Sequence, residues 1–156
     1  MEKTLVVIKP DAYRKRFIGE IISRFEKKSL ELLFTRVMTL TEEQVRKQYE
    51  AHQNMPFFPN MMEFLRSGRV VALVWQGENA IAVARQLIGE TDPRHAAPGT
   101  VRCDFGVNKI ENAIHASEDK KAVDIETAIY FPPDVLERMG TKETVSEKPQ
   151  HTRVPV

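Results

Sequence analysis

The sequence contains a single cysteine, Cys103, so no internal disulfide can form. Small secreted domains usually depend on disulfides, and we therefore expect a cytoplasmic protein. Four histidines are present, at positions 52, 95, 115 and 151. Their spacing is not that of metal ligands, and one cysteine makes a structural zinc site unexpected.

Long apolar runs are also missing. The first apolar stretch, Leu5 to Ile8, is as short as a strand and is bracketed by Glu2, Lys3 and Lys9. It is too short for a membrane span or a secretory leader. With 23 basic and 22 acidic residues the net charge is +1. We therefore expect no membrane partner, and charge gives no reason to require nucleic acid.

Several sequence motifs of catalysis are absent. There is no Walker loop, no His-Arg-Asp motif and no Gly-x-Ser-x-Gly elbow. Asp104-Phe105-Gly106 spells a protein-kinase motif, but it stands without the other kinase motifs and is interpreted as coincidence.

The chain length fits one domain, which we place at residues 1–140. Strands are predicted at 5–8, 31–40, 70–75 and 124–131, the first buried on both faces and the second at an edge because Arg36 interrupts it. Helices are predicted at 18–25, after the capping box at Thr41, near Met61, over Ala80 to Leu87 and at 118–123. A last short helix follows Pro132.

The order βαββαβ indicates an α/β (α+β) sandwich of the ferredoxin-like type, an antiparallel sheet with helices packed on its face. Residues 90–111 form a connection long enough to suggest function or mobility. Residues 141–156 are polar and lack periodicity. We expect this tail to be held by a neighbouring subunit or another intermolecular contact.

The segment richest in possible chemistry is the one around His115. Imidazole is a competent nucleophile near neutral pH, and a hydrogen bond at one ring nitrogen determines which nitrogen attacks. Ser117, followed by Glu118 and Asp119, is typical of a helix start, where phosphate binds well. The alternative is a partly buried histidine beside an ordinary capped helix.

The resemblance of this segment to a known family favours catalysis. Residues 112–119 resemble the Asn-x-x-His-Gly-Ser-Asp signature of nucleoside diphosphate kinases, whose histidine is transiently phosphorylated. Other segments are similar to the family in the same order, up to about Met139: residues 4–11, 56–59, 67–72, 89–93 and 98–105. Ala116 stands where the family has glycine, and Glu118-Asp119 replaces Asp-Ser. If that glycine has a positive φ, alanine adds strain.

The resemblance implies ping-pong transfer of a γ-phosphate from a nucleoside triphosphate, mainly ATP, to nucleoside diphosphates through phosphorylated His115. It pairs His115 with Glu126, supported by Ser117, although no single helix face explains their separation. The residues implied to hold the phosphates are Lys9, Arg85, Thr91 and Arg102. From the residues alone, a lysine after a buried strand or an arginine on a helix is more often a solvated side chain.

The nucleoside contacts follow from the same resemblance. Phe57 is implied as an apolar platform for the base, although its cluster alone suggests core or interface. Asn112 is implied to bond the ribose 3′-hydroxyl, and Tyr49 is a candidate for supporting the site. His52 is interpreted as a surface residue.

We expect no protein metal site, and Mg²⁺ to arrive with the nucleotide. A homo-oligomer is expected, with a hexamer favoured over a tetramer. The alternative functions are a non-catalytic nucleotide- or nucleic-acid-binding module on the same fold and an inactive oligomerising scaffold. Replacing His115 by alanine separates them, because only the enzyme loses transfer while binding survives.

Overall fold

The computed structural model describes residues 1–140 of the chain. The prediction for the tail at 141–156 lies outside the described residues. No helix within the described part is long and apolar enough to cross a membrane.

The centre of the domain is a four-stranded antiparallel sheet with the order β2-β3-β1-β4. The strands are β1 (Glu2–Ile8), β2 (Glu31–Thr39), β3 (Arg69–Gly77) and β4 (Ile114–Ala116). As predicted, β2 lies at an edge and β1 lies in the centre; β3 is the other central strand. The βαββαβ sandwich is confirmed.

Helices cover both faces of the sheet, whereas the sequence analysis placed them on one. Alternate residues of β1 enter two apolar clusters, Val6 and Ile8 on one side, Leu5 and Val7 on the other. Each face of a strand that is apolar at every position must be covered. The first apolar cluster includes Ile21 and Ala84, and the second apolar cluster packs against the opposite face of the sheet.

The helices are mostly where their periodicity and caps predict. They are α1 (Pro10–Arg14), α2 (Ile18–Glu26), α3 (Glu42–Gln48), α4 (Phe58–Leu65), α5 (Ala80–Ile88), α6 (Val101–Phe105), α7 (Lys120–Tyr130) and α8 (Pro133–Gly140). The predicted capping box at Thr41 is present, since its side chain accepts from the Gln44 backbone while Gln44 bonds back. Helix α1, and α6 within the long connection, were not predicted.

The prediction of a strand at residues 124–131 was wrong, because this segment lies in α7. Ile125 and other β-branched residues suggested alternation, but Ile125 is 55% exposed. The buried residues are Val123, Thr127 and Tyr130, a spacing of four and three that only a helix places on one face. Asp119, rather than Ser117, caps the helix by accepting from the Ala122 backbone.

The fourth strand is therefore β4, which contains His115. The His115 Cα lies opposite Val7 in the register with β1. The Ser117 backbone donates to the Leu5 carbonyl at 3.0 Å and extends the contact. His115 is therefore held by the sheet rather than by a helix start.

Candidate active site

A cleft of about 630 Å³ lies at the end of β1 and beside β4. It brings together residues from several separate parts of the chain, including every predicted site residue except Ser117. The lining residues among those are Lys9, Tyr49, Phe57, Arg85, Thr91, Arg102, Asn112, His115 and Glu126. Ser117 is fully buried behind them.

The central feature of the cleft is the hydrogen bond between His115 and Glu126. His115 Nε2 lies 3.1 Å from Glu126 Oε2, and the same oxygen accepts from Ser117 Oγ at 2.5 Å. A carboxylate at Nε2 favours the tautomer with the proton there, which leaves the lone pair on Nδ1. Within residues 1–140, Nδ1 has no hydrogen-bond partner. Its lone pair is available for nucleophilic attack.

Burial and charge keep this imidazole neutral. Burial lowers the pKa of His115, and the positive charges of Lys9 and Arg102 act in the same direction, against the hydrogen bond and charge of Glu126. Burial works to raise the pKa of Glu126, but bonds from His115, Ser117 and Gln48 bring it below its ordinary value. The pair is therefore a neutral imidazole beside a carboxylate near neutral pH.

Lys9 reaches the cleft from the end of β1. Its Nζ donates to Asn112 Oδ1 at 2.7 Å, and the residue is only 6% exposed. Burial, followed by the charge of Arg102, lowers the pKa of Lys9 to about 7, while Asp11 opposes the shift. An anion that enters the cleft restores the charge of this lysine.

Two arginines are anchored on either side of His115. Arg102 donates to the Ile114 carbonyl at 3.1 Å and to the Gly89 carbonyl at 3.0 Å. Arg85 donates to the Ala116 carbonyl at 3.0 Å. Burial and then the nearby Arg85 lower the pKa of Arg102 to about 10, so the Arg102 guanidinium stays charged at neutral pH.

A tight backbone turn precedes the strand of His115. Ala113 has φ 74°, and the Ile114 N–H bonds the Asn112 carbonyl at 2.9 Å, which is the pattern of a γ-turn. Asp11 Oδ2 accepts from the Ala113 N–H at 3.0 Å. Within the described chain, Ala116 does not have a positive φ, so the strain considered for this alanine is absent there.

Aromatic rings also line the cleft. The Tyr49 ring lies edge-on to His115 and to His52, with 6.1 Å between centroids in both pairs, and His52 lies 5.8 Å from Phe57. Tyr49 therefore contacts the imidazole itself. Burial raises the pKa of the Tyr49 hydroxyl. Phe57 is 38% exposed and lines the cleft.

Sequence reasoning missed three neighbours of the site: Gln48, Asp11 and His52. Gln48 Nε2 donates to Glu126 Oε1 at 2.8 Å. It is the last residue of α3, so the capping box at Thr41 that sets the phase of this helix was the available signal. His52, interpreted as a surface residue, is exposed but lines the cleft.

Together, the sandwich, the oriented histidine and the cationic groups define a phosphotransferase site. A sequence profile of the family described as "NDK: Nucleoside diphosphate kinase" matches residues 2–136. The chain belongs to the nucleoside diphosphate kinase family and is an enzyme that transfers phosphate between nucleotides.

Individual relatives agree with the profile. The chain is 46% identical over 136 residues to a nucleoside diphosphate kinase of Bacillus licheniformis. This alignment covers 87% of the present chain and 92% of the relative. It superposes on the crystal structure of the Encephalitozoon cuniculi nucleoside diphosphate kinase with a TM-score of 0.84 at 41% identity. The match covers 86% of this chain and 92% of that one. A Halobacterium salinarum nucleoside diphosphate kinase in complex with CDP gives a TM-score of 0.82 at 41% identity. That match covers 85% of this chain and 89% of the other.

Proposed function

We propose that His115 is the residue that carries the phosphate in this nucleoside diphosphate kinase. The observation that supports this most directly is the bond from His115 Nε2 to Glu126, which leaves Nδ1 without a partner among residues 1–140, in a cleft that also holds Lys9, Arg85 and Arg102. The Nδ1 lone pair attacks the γ-phosphorus of a nucleoside triphosphate. The phosphorus–nitrogen bond forms as the bond to the bridging oxygen breaks, and the diphosphate leaves with that electron pair.

The second step reverses the first. A terminal oxygen of another nucleoside diphosphate attacks the phosphorus, and the nitrogen recovers its lone pair as the phosphorus–nitrogen bond breaks. Glu126 retains its hydrogen bond with Nε2 throughout and stabilises the positive charge that develops on the ring. Ser117 keeps that carboxylate in place. One cleft thus serves donor and acceptor in turn.

Charge stabilisation comes from Lys9, Arg85 and Arg102, with Thr91 adding a hydroxyl at the rim. Both arginines are bound to backbone carbonyls beside His115, so they are oriented before the nucleotide arrives. Such preorganised donors stabilise oxygens whose charge increases during transfer. The catalytic set we propose is therefore His115, Glu126, Ser117 and Lys9.

The nucleoside occupies the aromatic side of the cleft. Phe57 offers a face on which any base can stack, so substrates of differing base are accepted. Asn112 Oδ1 accepts from Lys9 and has a second lone pair for the ribose 3′-hydroxyl. Tyr49 packs against the imidazole.

Mg²⁺ enters in our proposal as part of the substrate. Among the described residues, no group of three or more His, Cys, Asp or Glu side chains is placed to hold a metal ion. Glu126 is already bonded to three neighbours, so it does not suit a metal. The phosphate oxygens and water hold the ion.

We also propose a cytoplasmic homo-oligomer, with a hexamer favoured over a tetramer. The support is the single cysteine and the small domain size. The tail at 141–156 is proposed as an oligomer contact. Light scattering after size exclusion, with and without the tail, measures the assembly.

Incubation with γ-labelled ATP tests the function. We expect label on the protein that survives alkali, is lost in acid and moves to a triphosphate when GDP is added. His115→Ala abolishes labelling but retains ATP binding, whereas His95→Ala, outside the cleft, behaves like the unmodified chain. A chain that binds ATP without labelling supports the binding module instead. Label on another residue contradicts the role of His115.

A further inference from the structure

Gln48 occupies a position that the proposed chemistry has not used. Its Nε2 donates to Glu126 Oε1 at 2.8 Å and lies 3.3 Å from His115 Nε2. It reaches this position because α3 packs against α7, the helix that carries Glu126. The amide therefore contacts both members of the central pair.

The two oxygens of Glu126 have different partners. Oε2 accepts from Ser117 and faces His115, while Gln48 is the partner of Oε1 within residues 1–140. A glutamate carboxylate that is held at one oxygen can still rotate about its Cγ–Cδ bond. The bond from Gln48 to the other oxygen removes that freedom, so Oε2 stays directed at His115 Nε2.

The orientation of the Gln48 amide follows from its neighbours. Reversal would place Oε1 of Gln48 against the Glu126 carboxylate, two acceptors without a proton between them. In the orientation present, Gln48 Oε1 is buried and has no partner in the described chain, which costs free energy. The bond to Glu126 must offset this cost.

The Gln48 amide also lies near the ring nitrogen that carries the proton. If Glu126 turned away, the Gln48 N–H could donate to His115 Nε2, and the imidazole would then carry its proton on Nδ1. That tautomer has no lone pair at the attacking nitrogen. Anchoring of the Gln48 N–H on Glu126 prevents this.

We propose that Gln48 is a positioning residue for phosphoryl transfer, which acts by holding Glu126 Oε1 and so keeps the proton of His115 on Nε2. This inference rests on the proposed role of His115. Gln48 lines the cleft, but its hydrogen bond is to Glu126, and its effect is exerted through Glu126.

The first test is Gln48→Met, which has similar length and lacks the N–H donor. We expect kcat to fall about tenfold, in the range seen for removal of groups that orient a catalytic ligand, while KM stays within about twofold. The ¹⁵N resonances of His115 should show the Nε2–H tautomer in the unmodified chain and a mixture in the variant. Gln53→Met is the matched control, because Gln53 bonds the Arg46 carbonyl away from the cleft.

A second variant, Gln48→Glu, keeps the shape and adds a carboxylate beside Glu126. The added charge favours the imidazolium, so the acid limb of the pH–rate profile should move to higher pH. This result remains informative if the methionine variant fails to fold. An unshifted acid limb, an unchanged kcat or a loss confined to KM overturns the proposal.

The ¹⁵N measurement needs no turnover, so it separates this proposal from the proposed function. If the unmodified chain fails to form labelled His115 but Gln48→Met still changes the tautomer, the positioning contact is real and the catalytic assignment is wrong. If labelling occurs and the tautomer does not respond to Gln48→Met, only the role of Gln48 is overturned.

Discussion

Lys9 Nζ donates a 2.7 Å hydrogen bond to Asn112 Oδ1, which joins the end of β1 to the turn before β4 across 103 residues of sequence. The Asn112 amide nitrogen donates in turn to the Thr91 and Lys109 carbonyls. Lys9, proposed to bind phosphate, and Asn112, proposed to bind ribose, therefore form one hydrogen-bonded unit with the 90–111 connection.

Nucleotide binding should take up a proton through Lys9. The pKa of Lys9 in the folded chain is about 7, so at pH 8 this side chain is mostly neutral until phosphates enter. We expect uptake of about one proton, measured by titration calorimetry in buffers of different ionisation enthalpy. Lys9→Met should remove the uptake and reduce transfer about 10²- to 10³-fold. Lys28→Met, at an exposed position, is the control.

The same shift predicts how stability depends on pH. Because the folded pKa of Lys9 lies below its ordinary 10.5, the unfolded chain holds a proton that the folded chain lacks between about pH 7 and 10.5. The contribution of Lys9 to the free energy of unfolding therefore rises with pH across that window. Urea unfolding of the nucleotide-free chain at several pH values measures it. If the slope persists in Lys9→Met, another group is responsible.

Phe57→Ala should weaken the binding of all nucleotides to a similar extent. Base stacking on an aromatic face contributes to every base, and its loss should raise Kd about tenfold. Fluorescence titration with ADP, GDP and CDP gives the comparison. Met55→Ala is the matched control, because Met55 is 49% exposed and does not line the cleft. A loss confined to one base would show that Phe57 determines specificity instead.

Ala116→Gly should lower stability without increasing the rate. Ala116 is fully buried in β4, and a glycine within a strand costs about 0.5–1 kcal/mol. Thermal unfolding gives the stability, and a coupled assay gives the transfer rate. Faster turnover in the glycine variant would show that the alanine strains the site after all.

Asp11→Ala should destabilise the turn before His115. Asp11 is buried and accepts from the Ala113 N–H, so its loss leaves that donor unpaired at a cost of about 1–3 kcal/mol. We also expect slower phosphorylation, since the turn sets the start of β4. Urea unfolding and labelling kinetics measure both. Asp134→Ala, at an exposed position of α8, is the control, and equal losses in the two variants would contradict the role of Asp11.

Much of the fold was predictable from local patterns. The continuous apolar run at Leu5 to Ile8 required a central strand, the interruption at Arg36 indicated an edge, and Thr41 with Gln44 located the start of α3. These signals depend on neighbours in the sequence. The local pattern misled at α7, where β-branched residues at alternate positions resembled a strand, although Val123 and Thr127 are buried and Ile125 is exposed.

By itself the sequence predicted the chemistry available to this protein: a histidine in a signature segment, a carboxylate partner for it, basic side chains proposed to bind phosphates and an aromatic side chain proposed to stack with the base. Only the tertiary structure decided which atoms meet. Glu126 reaches His115 from a helix rather than from the predicted strand, and Gln48 reaches both from α3. Such contacts join residues separated by eleven to 103 positions, and no local spacing encodes them. They form because burial of both sheet faces brings α3, α7 and β4 to one end of β1.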